Sequence, residues 1–149
     1  MVLGQTNRNY EEVKQEIIKH EGKRNKIYLD HLKNATFGIG HLVLPTDNLQ
    51  EGVEYSDDTI MEYFERDFQQ ALSDARSFIE EESIDPDAFD CIINLSFNLG
   101  INRLNTFVKL KQALEENDYV TASFEILDSK YATQVPNRAN ELAERLRDV

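Results

Sequence analysis

A lone cysteine, Cys91, excludes a disulfide within this chain, so the fold needs no oxidising compartment. Tryptophan is absent, and basic residues are scarce: 16 Lys and Arg stand against 28 Asp and Glu, a formal charge of −12. That balance argues against nucleic-acid binding, which needs basic patches to meet phosphates. It also denies the chain general electrostatic steering toward an anionic substrate. No apolar run approaches the roughly 20 residues that span a bilayer, which argues against membrane insertion. Met1 to Arg8 hold no apolar core of signal-peptide length. The expectation is a protein made and kept in a cytoplasm, needing help to act outside it.

What is present is a folding pattern. Hydrophobic residues make up 40% of the 149 positions, which suits one domain with room for two lobes. Asn9 with Glu12 three residues on reads as a capping pair. Val13, Ile17 and Ile18 follow at helical spacing, and Gly22 is the stop. From Lys26 to Leu44 the period changes to two: Ile27 and Leu29 point one way, Tyr28 and Asp30 the other. After a turn at His31 to Asn34, the next strand sets Thr36, Gly38 and Gly40 on one face. Phe37, Ile39 and His41 fall on the opposite, inward face. A small antiparallel hairpin is expected, with a third short strand near Leu42 to Leu44. The two glycines would let a bulky ligand approach the backbone closely.

Beyond a polar loop from Pro45 to Glu54 the chain reads as helical. Ser56 caps a long helix to about Glu81, with Ile60, Phe64, Phe68, Ala71, Leu72, Ala75 and Ile79 on its buried stripe. Asp85-Pro86 opens a helix, apolar almost all round, that stops near Gly100 and reads as the central core helix. Asn105 caps another that ends near Asn117, one more spans Tyr119 to Leu127, and Pro136 opens the last through Leu142 and Leu146. The fold class expected is α+β, mostly α. A small antiparallel sheet lobe covers about residues 22–56, and a helical lobe covers 1–21 plus 57–149, the two joined by the long helix.

The string most able to do chemistry is His20-Glu21-Gly22, Tyr28-x-Asp30, then Thr36-x-Gly38-x-Gly40-His41. Two carboxylates and a hydroxyl close together suit cleavage of a glycosidic bond, where one acid protonates the leaving oxygen and another carboxylate handles water. Among 28 acidic residues a pair nine apart means little by itself. Position adds to it: Glu21 follows a helix, Asp30 ends a strand and Thr36 returns on the next, so all three can converge. The plainer alternative is a helix-terminal Glu and a turn-starting Asp, both solvated.

Other chemistries lack their patterns. His20, His31 and His41 match no zinc spacing, and His41 shares a face with Phe37 and Ile39, as a buried, hydrogen-bonded core histidine does. Asp85-x-Asp87-x-x-Asp90 lacks the glycine and glutamate of a calcium loop. No glycine-rich loop opens a helix to cradle phosphate, and no G-x-S-x-G elbow singles out a serine. Cys91 falls on the buried face of an apolar helix, as inert packing. No metal and no cofactor are expected.

The string at residues 20–41 resembles the catalytic signature of the phage-type lysozymes, glycoside hydrolase family 24. Phe97-Asn98-Leu99-Gly100 resembles that family's F-N-x-G at the end of its central helix. Leu114 to Tyr119 resembles its L-x-x-x-D-Y/W stretch, and Val135-Pro136-Asn137-Arg138-Ala139 the segment that opens its last helix with an arginine. Order and spacing agree over about residues 10–148. The resemblance implies a lysozyme-like, two-lobed fold whose sheet forms one wall of a cleft. Glu21 would be the general acid, with Asp30 and Thr36 orienting the attacking water and giving inversion. Arg138 would orient Glu21 by an ion pair, and His41 would support the site from the inner face with Asp67 as its partner. Tyr28, Gly38, Gly40, Asn98 and Tyr131 would bind substrate. Lys33 and Asn34 occupy a turn where the family has glycine, Asn being the type that tolerates left-handed backbone.

The activity implied is that of an endo-acting muramidase. It would hydrolyse β-1,4 bonds between N-acetylmuramic acid and N-acetylglucosamine in peptidoglycan, as a monomer. Asp30 argues for hydrolysis over a transglycosylase, which needs no water-holding carboxylate. Its role would be phage-mediated host lysis or wall penetration, from the host cytoplasm or from the virion. The competing class is a catalytically silent domain that binds wall glycan or serves in a phage tail, a reading the strong negative charge favours slightly.

Overall fold

The computed structural model describes residues 10–149. Helix α1 (Glu11–Glu21) follows Tyr10, which takes left-handed backbone at φ 57° without a side-chain cap. The cap expected at Asn9 lies outside the described residues. Val13 and Ile17 are fully buried on one stripe, while Lys19 in the last turn complements the negative helix end. Gly22, at φ 76°, stops the helix, its N–H on the Ile18 carbonyl at 2.8 Å. Glu21 is thereby the last helical residue.

Strands β1 (Arg24–Leu29), β2 (Ala35–Gly38) and β3 (His41–Leu42) form an antiparallel sheet in that order. Tyr28 pairs with Thr36 across β1 and β2, and His41 with Phe37 across β2 and β3. The second strand was expected to run on through Gly40 to His41. It ends at Gly38 instead, because Gly38 (φ 62°) and Gly40 (φ 68°) bend the chain back through left-handed backbone. His41 consequently begins the third strand.

Ser56 caps α2 (Asp57–Phe78), with the Thr59 N–H on its hydroxyl at 3.2 Å. Ile60, Phe64, Phe68, Ala71, Leu72, Ala75 and Phe78 form the buried stripe. The helix stops three residues short of the expected Glu81, where Ile79 turns extended yet stays buried. It packs on β2 and on α3 (Pro86–Leu99), which Asp85 caps. Helix α3 is buried without interruption from Ala88 to Ser96, with α1, α2 and α8 (Pro136–Arg147) around it. The Ser96 hydroxyl donates to the Ala71 carbonyl at 3.0 Å, tying α3 to α2.

Helices α4 (Ile101–Leu104), α5 (Val108–Glu115), α6 (Tyr119–Leu127) and α7 (Lys130–Gln134) complete the helical part. Asn105, expected to cap a helix, instead ends α4, and α5 starts from Phe107 with no side-chain cap. α4 and α7 are single turns, too short to show a period in sequence. The fold is α+β, mostly helical with a small three-stranded antiparallel sheet, as the sequence pattern implied.

Candidate active site

A cleft of about 580 Å³ runs between the sheet and the helices. It is lined by Glu21, Tyr28, Asp30, Thr36, Gly40, His41, Asn98 and Tyr131 among others, so most of the expected site converges there. Gly38 does not line it. A side chain there would meet Ile60 Cγ2 at 3.1 Å, so Gly38 backs onto α2 at the turn after β2.

Glu21 enters the cleft from the end of α1, its side chain 16% exposed. Arg138 Nη1 donates to Glu21 Oε2 at 2.7 Å from the first turn of α8. A Cβ built on Gly40 would lie 2.5 Å from Glu21 Oε1 and 2.8 Å from its Cδ. The bare backbone that the sequence offered to a ligand is therefore taken up by the Glu21 carboxyl itself. Arg138 is in turn held by Asn94, whose Oδ1 accepts from Nε at 2.9 Å. Asn94 was not anticipated: it is fully buried on α3 beside the polar Asp90 and Ser96, and its partner lies 44 residues away on α8.

Asp30 follows β1 and is half-buried in the cleft lining. Its Oδ1 accepts the N–H of Leu32 at 2.9 Å and of Asn34 at 2.8 Å. The Asn34 N–H bond foremost, and then the Leu32 bond, hold its carboxyl below the usual carboxylate range despite some desolvation. Lys33, not Asn34, takes the left-handed position of this turn, at φ 64°. Asn34 is the link instead: its carbonyl accepts the Thr36 hydroxyl at 2.9 Å while its amide holds Asp30. Thr36 is 3% exposed, and with its proton committed its oxygen can only accept from a further partner. Tyr28, opposite Thr36, has its phenol pushed up by burial and by the Glu21 charge, with Arg24 opposing from 4.6 Å over the ring. An ionised carboxylate beside an acceptor hydroxyl is suited to hold a water molecule.

His41 sits between two carboxylates. Nδ1 pairs with Asp67 Oδ2 on α2 at 2.7 Å, and Nε2 with Asp47 Oδ2 at 2.8 Å. Burial alone would lower its pKa, but the bonds to Asp67 and Asp47 outweigh that and raise it. Asp47 also accepts the Leu44 N–H at 2.8 Å, closing the loop after β3. Nothing in the polar stretch around Asp47 distinguished it from its neighbours in sequence.

Tyr131 is 2% exposed, and burial pushes its phenol up to about 12. Among the described residues neither its hydroxyl nor Arg138 Nη2 has a hydrogen-bond partner.

The sequence profile of the family described as "Phage lysozyme" matches residues 18–146. Two relatives from Dictyostelium discoideum, "Probable T4-type lysozyme 2" and "Probable T4-type lysozyme 1", are 24% and 26% identical to the chain. Each alignment covers 82% of this chain and 85% of the relative.

Proposed function

The chain belongs to the phage lysozyme family, and from that premise we propose that it is an endo-acting muramidase with Glu21 as its acid. The substrate is the β-1,4 bond between N-acetylmuramic acid and N-acetylglucosamine. The observation that carries this reading is the cleft itself, which brings Glu21, held by Arg138, together with the Asp30 and Thr36 turn.

In the reaction Glu21 gives its proton to the glycosidic oxygen as the bond to the anomeric carbon breaks. Asp30 accepts a proton from a water molecule whose other contact is the Thr36 oxygen, and that water attacks the opposite face of the sugar. The configuration inverts, and Glu21 is left as the carboxylate that Arg138 pairs with. Tyr28, Asn98 and Tyr131 border the glycan. Its place of work is the wall of a bacterial host, reached from the cytoplasm when a phage lyses the cell.

Clearing of purified peptidoglycan by wild type and Glu21→Gln, with products read by mass spectrometry, tests the reading. Reducing-end muramic acid products that vanish in the variant are expected. Anhydro products would mean a transglycosylase, and glycan binding without products would mean a silent wall-binding domain.

A further inference from the structure

The hydrogen bonds behind Glu21 do not stop at Arg138. The Asn94 amide nitrogen lies 3.2 Å from His20 Nδ1, and His20 Nε2 lies 2.5 Å from Glu141 Oε2. Glu21, Arg138, Asn94, His20 and Glu141 thus form one string from the cleft to the outer side of α8.

The direction of every bond in this string follows from chemistry. A guanidinium only donates, so the Asn94 atom facing Arg138 Nε must be the carbonyl oxygen, which turns the amide NH2 toward His20. His20 Nδ1 must then accept, which leaves the ring proton on Nε2 for Glu141. The Glu141 carboxyl is held below its ordinary value, chiefly by this bond to His20, so it remains an acceptor. Only a neutral imidazole offers one accepting and one donating nitrogen.

A protonated imidazole cannot complete the string. Its Nδ1–H would face the Asn94 NH2. Turning the amide over satisfies His20 but sets the NH2 against Arg138 Nε–H. Either way two donors confront each other where Asn94 is 0% and Arg138 7% exposed, too buried for water to relieve them cheaply. The other charged groups that line the same hollow as His20 and Glu141 are Glu16 on α1, Asp87 on α3, and Glu144, Arg145 and Asp148 on α8, and Lys19 on α1 and Arg138 on α8 also act on Glu141. Arg145 pairs with Glu16 and Asp87, and apart from Arg138 none of these groups reaches Asn94 to resolve the conflict.

We infer that His20 is a positioning residue for Glu21: when neutral it holds Arg138 on the acid through Asn94, and when protonated it releases that hold. The inference rests on the reading of Glu21 as the general acid. It gives the enzyme an acid-side weakening through a side chain that does not line the cleft.

Two measurements test it, and the first needs no activity. Nitrogen NMR of isotope-labelled protein should find His20 with a bare Nδ1 and a protonated Nε2 at alkaline pH. The Arg138 Nε–H signal should be protected there and should move or exchange faster as His20 takes up its proton. The opposite tautomer, or an Arg138 signal indifferent to that titration, would overturn the inference whatever the substrate proves to be. The second uses His20→Gln, whose amide accepts and donates but does not titrate. On soluble glycan fragments the ratio of variant to wild-type kcat should rise about fivefold from alkaline to mildly acid pH, the worth of one hydrogen bond, with KM unchanged. A ratio constant with pH would overturn it, since a bridge that merely fastened α1 to α8 would leave the profile alone. If neither protein cleaves glycan, the reading of Glu21 has failed, and the NMR titration still decides whether the string is coupled.

Discussion

Gly40 and Glu21 occupy adjoining space: a Cβ on the glycine would stand 2.5 Å from the glutamate's Oε1. The turn between β2 and β3 thus forms the back wall against which the candidate acid rests. Gly40→Ala should displace the carboxyl and also strain a position at φ 68°. The expected outcome is a stability loss of about 1–2 kcal/mol from the strained backbone but a fall in kcat of about a hundredfold from misplacing the acid. Melting curves beside initial rates check this, and an active Gly40→Ala protein would contradict it.

Arg138 holds Glu21 with Nη1 and Asn94 with Nε. Arg138→Ala leaves a mostly buried carboxyl and amide without their donor and should cost about 3 kcal/mol of stability. Arg138→Lys keeps the charge but cannot reach both partners in the same plane, so it should recover only part of that loss. Denaturant unfolding of the two variants separates charge from geometry.

The bracket around His41 has a pH window with a definite sign. The folded protein raises the His41 pKa above its ordinary 6.5, so this stabilisation is fully present below 6.5 and fades as pH rises through the raised value. For Asp47 the folded pKa lies below the ordinary 3.8, so its share is present above 3.8 and is lost as pH falls through the lowered value. The bracket is therefore complete between those limits. Asp47→Asn should cost about 2 kcal/mol near pH 5.5 and clearly less near pH 8.5, the worth of a hydrogen bond to a charged group. Equal losses at both pH values would contradict the assignment.

How much of this could be read from sequence depended on how local the cause was. Helix α2 was legible because Ser56 supplies its cap and the apolar stripe from Ile60 to Ala75 keeps helical period. Glu21 at a helix end and Asp30 at a strand end were legible for the same reason. Gly38 and Gly40 misled, because alternating glycines fit a straight strand and a tight turn equally well until φ is known. Asp47 and Asn94 act through partners 6 and 44 residues away, and no local period reports such contacts. The Glu21 string joins residues separated by as many as 121 positions, so only the fold brings it together.

Cys91 is fully buried, its thiol is pushed up to about 12 by that burial, and its Sγ lies 3.7 Å from the Leu142 carbonyl. A thiol so rarely ionised reacts only when the protein opens. Alkylation followed by mass spectrometry should find it unmodified in native protein and labelled at the unfolding rate. Rapid labelling under native conditions would contradict the packing described.

The central claim is that Glu21 donates the proton while water held by Asp30 and Thr36 attacks from the other face. The most direct test is the anomeric configuration of the first product, read by proton NMR within minutes of mixing enzyme with soluble β-linked glycan. The account predicts that the α-anomer appears first and that Glu21→Gln abolishes its release. A β-anomer or an anhydro sugar as first product would contradict it.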